Sequence, residues 1–222
     1  MNSNQPLRDG ETTRRALVVA ALDLFGRNGY DATSTREIAR AAGVNIAGIA
    51  YHFGGKDGLR LACANLVVER MRSVAAVASS DPDGAEMPTP EQALALLLAV
   101  VDRAVGFLAR GPDSAAIARF MIREMQSPTD AFDIVYAGVF EPVHERLCQL
   151  WGAATGQVPD AAATRLAVFT TIGQIVYFRI ARPAVLRRMA WDDIGQGEAE
   201  AIAVTIKRAV RAHVLAAAGE RP

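Results

Sequence analysis

Three side chains that donate hydrogen bonds to anions lie within six residues of one another: Tyr51, His52 and Lys56. A phenol hydroxyl, an imidazole N–H and an ammonium group can each bind a phosphate oxygen. Asn45, a few residues earlier, carries an amide that can pair with the edge of an adenine base. This chemistry suits a nucleic acid, provided that the local backbone holds the groups on one surface.

The surrounding segment, Thr35–Phe53, has the spacing of two short helices joined by a tight turn. Ile38 lies on the apolar edge of the first helix, and Val44 and Ile49 resume the apolar pattern after the turn. Gly43 sits where the chain must reverse, and a residue without a Cβ adopts positive φ there without a clash. The pattern predicts a helix-turn-helix, whose second helix lies in the major groove of DNA.

Helical patterns also fill the rest of the chain. Ser34 and Glu37 predict a capping box before the first helix of the motif. Pro142 should kink or split a longer helix, residues 1–10 are expected to form a flexible arm, and Asp81–Pro90 has the composition of a loop. The helices are predicted over about 11–27, 35–42, 45–53, 56–80, 91–109, 114–126, 130–153, 160–181, 184–191 and 196–217.

Composition favours an all-α protein, because alanine and leucine are abundant, β-branched runs are short and aromatic residues make up only 6% of the chain. The formal net charge is zero, which argues against a general polyanion-coating protein. Residues 1–58 carry a net charge of only +1, so any attraction to DNA depends on where their cations lie.

Cysteine usage and hydropathy predict a cytoplasmic protein without a metal. Cys63 and Cys148 are too few and too far apart for a disulfide framework or a metal site, so two buried thiols are expected. The N-terminus lacks the apolar core of a signal peptide. The longest uncharged apolar stretch, Leu166–Phe178, is too short to span a bilayer, so no membrane is expected.

The N-terminal block resembles the TetR family of transcriptional regulators. The resemblance rests on Ala21, Leu24, Phe25, Gly29, Tyr30, Thr33, Ile38, Ala39, Ala42, Gly43, Val44, Tyr51, His52, Phe53 and Lys56. A second segment, Ile172–Trp191, resembles the CecR-type subgroup in its Gly-Gln, aromatic-Arg and Arg-Pro pairs. The resemblance implies a helix-turn-helix DNA-binding domain at 1–58 and a helical ligand-binding and dimerisation domain at 59–222.

The same resemblance implies roles for the polar residues of the motif. Tyr51, His52 and Lys56 are expected to contact phosphates, and Arg36 and Arg40 could reach phosphates beside the groove. The arginines of the N-terminal arm are weaker candidates: Arg8, Arg14 and Arg15. Tyr51 could instead be a core aromatic residue, and the arginines could form an ordinary solvated face.

The recognition helix departs from many relatives, because residues 44–55 hold no formal charge. Pairing of an arginine with guanine is therefore excluded there. Asn45 could pair with adenine, Ile46 or Ala47 could contact a thymine methyl group, and Gly48 would permit close approach of the backbone to DNA. We expect sparse direct readout, with operator shape or an arm arginine supplying the rest.

Polar residues on apolar helical faces suggest a small-molecule cavity in the second domain. Glu124, His144 and Gln174 need partners if they are buried, and each could equally bond a neighbour within the core. No His/Cys/Asp cluster accompanies His144, so neither a metal nor another cofactor is expected. The predicted ligand-binding residues are Phe120, Met121, Glu124, Met125, Tyr136, Phe140, His144, Gln174 and Tyr177.

Two of the last helices have the small and apolar residues of a two-fold four-helix interface. A monomer's closing helix is the alternative, but a helix-turn-helix pair that binds a palindrome requires a homodimer. The predicted interface residues are Ile172, Ile175, Ile202, Ile206, Ala209, Val210 and His213.

The function that the resemblance implies is repression from a palindromic operator on double-stranded DNA, relieved by a small-molecule effector. The effector would favour a conformation in which the fourth helix swings and the two heads no longer match successive grooves. An activator of the same fold stays open, as does a helical interaction protein without operator binding. No triad, glycine-rich phosphate loop or paired carboxylates point to an enzyme.

Overall fold

The computed structural model describes residues 5–78, 87–111 and 113–219, all of whose regular structure is helical. The all-α prediction is therefore confirmed. The helices are α1 (Gln5–Asn28), α2 (Thr35–Ala42), α3 (Ala47–Phe53), α4 (Lys56–Ala78), α5 (Pro90–Arg110), α6 (Ser114–Gln126), α7 (Asp130–Val135), α8 (Glu141–Thr155), α9 (Ala162–Ile180), α10 (Arg182–Met189) and α11 (Gln196–Gly219).

Two predictions of local structure meet different outcomes. The prediction of a flexible N-terminal arm is wrong for residues 5–10, because α1 already begins at Gln5. The split near Pro142 is confirmed: a π-helical turn, Tyr136–Phe140, separates α7 from α8. Proline has no N–H for the carbonyl four residues earlier, so the regular α-helical ladder cannot continue through this point. Most of the predicted loop, residues 81–86, lies outside the described residues.

The first compact unit contains the described residues up to Arg70 together with Ala115–Gly138. Helices α1, α2 and α3 pack on one another. Its fully buried side chains include Leu17, Ile38 and Leu59. The predicted domains, 1–58 and 59–222, do not coincide with the two compact units, because Ala115–Gly138 packs with the N-terminal residues. The boundary between the DNA-binding and ligand-binding domains stays a prediction.

The second unit contains the described residues of 71–114 and 139–219. Helices α5, α8, α9 and α11 pack together around a core centred on Trp151, which is 1% exposed. Residues 90–109 of α5 are long and apolar enough to cross a membrane by length and composition, with a mean hydropathy of 1.8. Buried Leu97 and Val101 place one side of this helix in the core. Its Asp102 forms an ion pair with Lys207 of α11, with Nζ and Oδ1 2.7 Å apart.

Candidate nucleic-acid interface

Helix α2 begins with the predicted capping box. The Ser34 hydroxyl oxygen accepts a hydrogen bond from the Glu37 N–H at 3.2 Å, and the Glu37 carboxylate accepts one from the Ser34 N–H at 2.8 Å. These bonds satisfy two backbone donors at the helix start. They also lower the pKa of Glu37, because the Ser34 N–H and hydroxyl both donate to its charged form.

The turn after α2 has the conformation that Gly43 was expected to provide. Its φ of 67° and ψ of 29° lie in the left-handed region, and its N–H donates to the Ala39 and Arg40 carbonyls. Asn45 then caps the next helix, since its side-chain oxygen accepts from the Ala47 N–H at 2.9 Å. The turn and cap together fix the direction in which α3 leaves the motif.

Helix α3 presents most of its predicted DNA-binding residues to solvent. Ile49, 2% exposed, anchors the helix in the unit, whereas Ile46 is 44% exposed and Tyr51 is 85% exposed. Asn45 and Ala47 are exposed as well. The alternative interpretation of Tyr51 as a core aromatic residue is therefore wrong.

Gly48 lies on the side of α3 next to α1. A Cβ built at Gly48 would lie 3.5 Å from Leu17 Cδ1 and 3.8 Å from Thr13 Cγ2, both on α1. The residue is half-buried, and the Cβ direction points toward α1, where a methyl group would make ordinary van der Waals contacts. Its predicted role in close approach to DNA stays a prediction.

The end of α3 is supported by the first half of α1. The His52 and Tyr51 rings meet edge to face, with centroids 4.8 Å apart, and His52 is half-buried. The Arg14 guanidinium carbon lies 5.5 Å from the centre of the Phe53 ring, within cation–π range. Arg14 therefore belongs to a helix that packs beside the recognition helix and not to a flexible arm.

Lys56 is held at the start of α4 by an aromatic ring. Its Nζ lies 4.1 Å from the centre of the Tyr30 ring, and the Arg60 guanidinium carbon lies 4.6 Å from the same ring. The Tyr30 hydroxyl donates to Asp57, and burial, followed by this bond, raises the pKa of Tyr30 to about 12. These contacts orient Lys56 beside the end of α3.

The remaining cations lie on exposed surfaces of the first two helices. Arg36 and Arg40 of α2 are exposed, as are Arg14 and Arg15 of α1. The side chain of Arg8 lies outside the described residues. Between residues 10 and 58, the cations therefore lie on α1, on α2 and at Lys56, because α3 carries no formal charge.

Gly58 makes the junction of α3 and α4 possible, because a Cβ built there would lie 1.9 Å from the Phe53 carbonyl oxygen. Gly58→Ala forces this backbone apart and is expected to lower the free energy of unfolding by about 2 kcal/mol. Urea denaturation of the full chain measures the loss. Gly10→Ala is the matched control, since its Cβ would meet only His52 Cε1 at 3.9 Å. Equal stability of the two variants would contradict the assignment.

Helix α6 makes contacts with α1 that the sequence did not predict. Arg119 pairs with Asp23 at 2.7 Å, and Arg123 donates to the carbonyls of Gly26 at 2.9 Å and Arg27 at 2.8 Å. The guanidinium of Arg123 thus satisfies carbonyls that the end of α1 leaves without helical partners. The pattern of side chains does not indicate which backbone carbonyls a distant arginine will bind. The contacts of Arg123 could therefore not be predicted from the sequence.

The predicted ligand residues of the first unit do not form a cavity lining. Phe120 and Met121 are buried core residues, whereas Met125 and Tyr136 are 46% and 45% exposed. Glu124 is 3% exposed and bonds Arg60 at 2.7 Å and the Thr129 hydroxyl at 2.7 Å. Because Glu124 already has partners, its prediction as a ligand-binding residue is corrected.

The remaining predicted ligand residues lie in the second unit. His144 stacks on Phe169 with ring centroids 4.1 Å apart, and its Nε2 lies 3.3 Å from the Arg165 carbonyl oxygen. Phe140 and Gln174 are half-buried, and Tyr177 is 57% exposed. His144 therefore has neighbours within its own unit, and the ligand role of these four residues stays a prediction.

A small cavity in the second unit lies elsewhere, with interior space of about 10 Å³, room for little more than one water molecule. None of the predicted ligand residues lines it. Its walls are Val105, Leu108, Ala109, Ile175, Phe178, Arg179, Arg182, Ile194 and Ile202. The sequence did hold a hint of this cavity. The Phe178-Arg179 and Arg182-Pro183 pairs of the CecR-like segment supply three of the wall residues.

The predicted interface residues on α9 and α11 differ in their exposure within the single chain. Ile175, Ile202, Ile206 and Val210 are 2–6% exposed within the single chain, so they have almost no surface to offer a second copy. Ile172 is half-buried, while Ala209 and His213 are exposed.

Helix α9 presents a different apolar surface to solvent. Leu166, Phe169, Tyr177 and Ile180 are 65%, 58%, 57% and 54% exposed, and they recur at helical spacing along one side. We call these four residues the α9 stripe. Helix α9 has apolar residues all round, so periodicity alone could not separate its core side from the stripe.

Comparison with known proteins matches both parts of the chain. Residues 17–63 match the family model described as bacterial regulatory proteins, tetR family, and residues 93–217 match that of the C-terminal domain of the HTH-type transcriptional dual regulator CecR. CecR of Shigella flexneri is 34% identical over 211 residues, covering 93% of each chain. The HTH-type transcriptional regulatory protein RaaS of Mycobacterium tuberculosis is 30% identical over 184 residues, covering 78% of this chain and 76% of that protein.

Solved structures share the fold at lower identity. AibR, crystallised in complex with isovaleryl coenzyme A and operator DNA, superposes with a TM-score of 0.65 at 18% identity, covering 88% of this chain and 96% of that chain. A TetR-like transcriptional regulator from Rhodococcus sp. RHA1 superposes with a TM-score of 0.64 at 20% identity, covering 91% and 96%.

Proposed function

The chain belongs to the TetR family of DNA-binding transcriptional regulators, with a CecR-type C-terminal domain, and from this premise we propose that it is a repressor released from a palindromic operator by a small molecule. The family is not enzymatic, which agrees with the lack of a catalytic motif in the sequence. As a regulator of transcription, the protein would act in the cytoplasm.

The observation that carries the proposal is the exposed surface of α3. Ile46 and Ala47 point to solvent, Tyr51 is 85% exposed, and Lys56 flanks them on the Tyr30 ring. The surface combines an apolar centre suited to thymine methyl groups with donors suited to phosphates. Arg36 and Arg40 on α2 would add contacts to the flanking backbone.

Asn45 would contribute little to the discrimination of bases. Its side-chain oxygen caps α3 through the Ala47 N–H, so a bidentate contact with adenine would have to share that oxygen. Selectivity would then depend on apolar contact from Ile46 and on DNA shape. An arginine of α1, such as Arg14, would bind the backbone or the adjacent minor groove.

A homodimer would complete the site, because a palindrome presents two half-sites one helical turn apart, about 34–36 Å. The α9 stripe supports this proposal, since its four large apolar residues are more than half exposed in the single chain. Exposed positions of α11, including Val204 at 44% and Leu215 at 63%, could extend the surface.

Activation is the second candidate function, because the Shigella flexneri relative is a dual regulator. The same complex represses or activates according to where the operator lies relative to the promoter. The effector would bind in the second unit, where four of the residues predicted to bind a ligand lie. Phe140, His144, Gln174 and Tyr177 stay predicted contacts.

The proposal is tested by titrating the full chain against DNA that flanks its own gene, at two salt concentrations. Tight, selective binding that weakens with salt is expected. Tyr51→Phe combined with Lys56→Ala should weaken binding by about tenfold and reduce the salt dependence, because one cation and one hydrogen bond to phosphate are lost.

Arg188→Ala provides the control, since it removes an exposed cation of α10 in the second unit. Its operator affinity should equal that of the unchanged protein. Binding that ignores salt and sequence, or that survives the double substitution, would instead favour a helical interaction protein.

A further inference from the structure

We propose that the small cavity of the second unit is the closed form of a binding site for a short-chain aliphatic carboxylate. Arg182 would receive the carboxylate, and the aliphatic tail would take the place that the Ile194 side chain now occupies. The site is formed by α5, α9, α10 and α11 within one compact unit, apart from the residues predicted from the sequence to bind a ligand.

The interior of the cavity suits an aliphatic tail. Val105, Ile175 and Ile202 are 4–6% exposed, and Leu108 and Phe178 also line the walls. Two arginines, Arg179 and Arg182, line the cavity as well. Arg182 is ion-paired with Asp193, and only 24% of its side chain is exposed. An apolar pocket with a charged group at its edge is the usual form of a site for a small amphipathic molecule.

The protein already places a carboxylate on this arginine. Asp193 forms an ion pair with Arg182, and its side chain is 71% exposed. The same carboxylate accepts a hydrogen bond from the Ile194 N–H at 2.8 Å. A guanidinium binds carboxylates by parallel hydrogen bonds, so a ligand carboxylate could replace that of Asp193 at little cost, since the aspartate would return to water.

The neighbouring residue belongs to the cavity wall. Ile194 is 5% exposed and lines the walls, directly after Asp193 in the chain. Together the two residues supply a carboxylate on Arg182 and a branched aliphatic group in the cavity wall. This pair has the chemistry of the proposed ligand.

The segment that carries this pair, Ala190–Gly195, connects α10 to α11. Ala190 has a φ of 54°, the only positive value among the described residues other than glycine, and its N–H donates to the Leu186 carbonyl at the end of α10. Release of Asp193 and Ile194 would allow the segment to move away from the walls.

The size of the ligand follows from the space released. An isoleucine side chain has four carbons, and the remaining space of about 10 Å³ adds little more than a methyl group. The site should therefore prefer a carboxylate with a tail of about four or five carbons. Binding itself is independent of gene regulation; the inference that this ligand is the effector rests on the proposed function.

The test is isothermal titration of the full chain with 4-methylpentanoate, beside acetate, which lacks the tail, and 4-methylpentan-1-ol, which lacks the charge. Only 4-methylpentanoate should bind measurably. Tryptophan fluorescence should change on binding, because Trp191 lies in the moving segment, and Trp191→Phe should abolish the change while affinity persists. Absence of binding by 4-methylpentanoate would overturn the proposal.

Two variants with opposite expected effects separate a binding site from a structural ion pair. Arg182→Gln should weaken 4-methylpentanoate binding by about tenfold or more, because a charged hydrogen bond is lost. Asp193→Asn should strengthen it several-fold, because the competing carboxylate is gone. Unchanged affinity in Arg182→Gln, or weaker binding in Asp193→Asn, would contradict the proposed exchange.

Operator titration with 4-methylpentanoate present distinguishes this inference from the proposed function. Intact operator binding without ligand binding would overturn the site alone. Ligand binding that leaves operator affinity unchanged would support the site and reject its role as the effector site.

Discussion

Phe169→Glu is expected to dissociate the proposed dimer into monomers and to abolish the tight operator binding proposed for it. Phe169 lies in the α9 stripe and is 58% exposed in the single chain. Burial of a phenylalanine contributes about 1.5–3 kcal/mol, and two-fold symmetry counts the loss twice, so the dimer dissociation constant should rise at least about a hundredfold. Sedimentation across a concentration series measures that constant.

Val158→Glu is the matched control. Val158 is 67% exposed and lies before α9, away from the stripe, so the same charge there should leave the dimer intact. Circular dichroism would establish that both variants remain folded, since Phe169 also stacks on His144. If both variants stay dimeric at equal concentration, the α9 stripe is not the interface.

Glu124→Ala is expected to lower the free energy of unfolding by about 3 kcal/mol, because it leaves the Arg60 guanidinium without its buried partner. Arg60 is 19% exposed and Glu124 3% exposed, so water compensates little for the loss. The Thr129 hydroxyl loses its acceptor as well. Chemical denaturation of the full chain measures the change.

Glu69→Ala in α4 is the control, since Glu69 is an exposed acid of the same unit and its loss should change stability by less than about 0.5 kcal/mol. The Glu124 prediction also separates two roles for this residue. A ligand-binding role would weaken effector binding with little change in stability. Equal stability of the two variants would instead favour the prediction from the sequence that Glu124 binds a ligand.

Features with local causes could be predicted from the sequence. The Ser34–Glu37 capping box, the left-handed Gly43 and the cap at Asn45 each depend on residues within a few positions of one another. Such short-range chemistry is visible in residue order. The exposure of Tyr51 followed from its place in the motif for the same reason.

Features with distant causes could not be predicted in this way. Glu124 was correctly expected to need a partner, but Arg60 lies 64 residues earlier, and no spacing rule connects the two. Ile202 and Phe169 both lie on apolar helices, and only the packed structure shows that the first is in the core and the second in solvent. The cavity at Arg182 depends on four helices that meet only after folding.

The exposure of α3 has a consequence for how this protein could acquire new targets. Ile49 carries the packing of the helix, whereas Ile46, Ala47 and Ala50 point to solvent. Substitutions at these three positions would alter the surface that meets DNA at little cost in folding. Operator preference can therefore diverge between duplicated copies of the gene, or be changed by directed evolution, while the scaffold is retained.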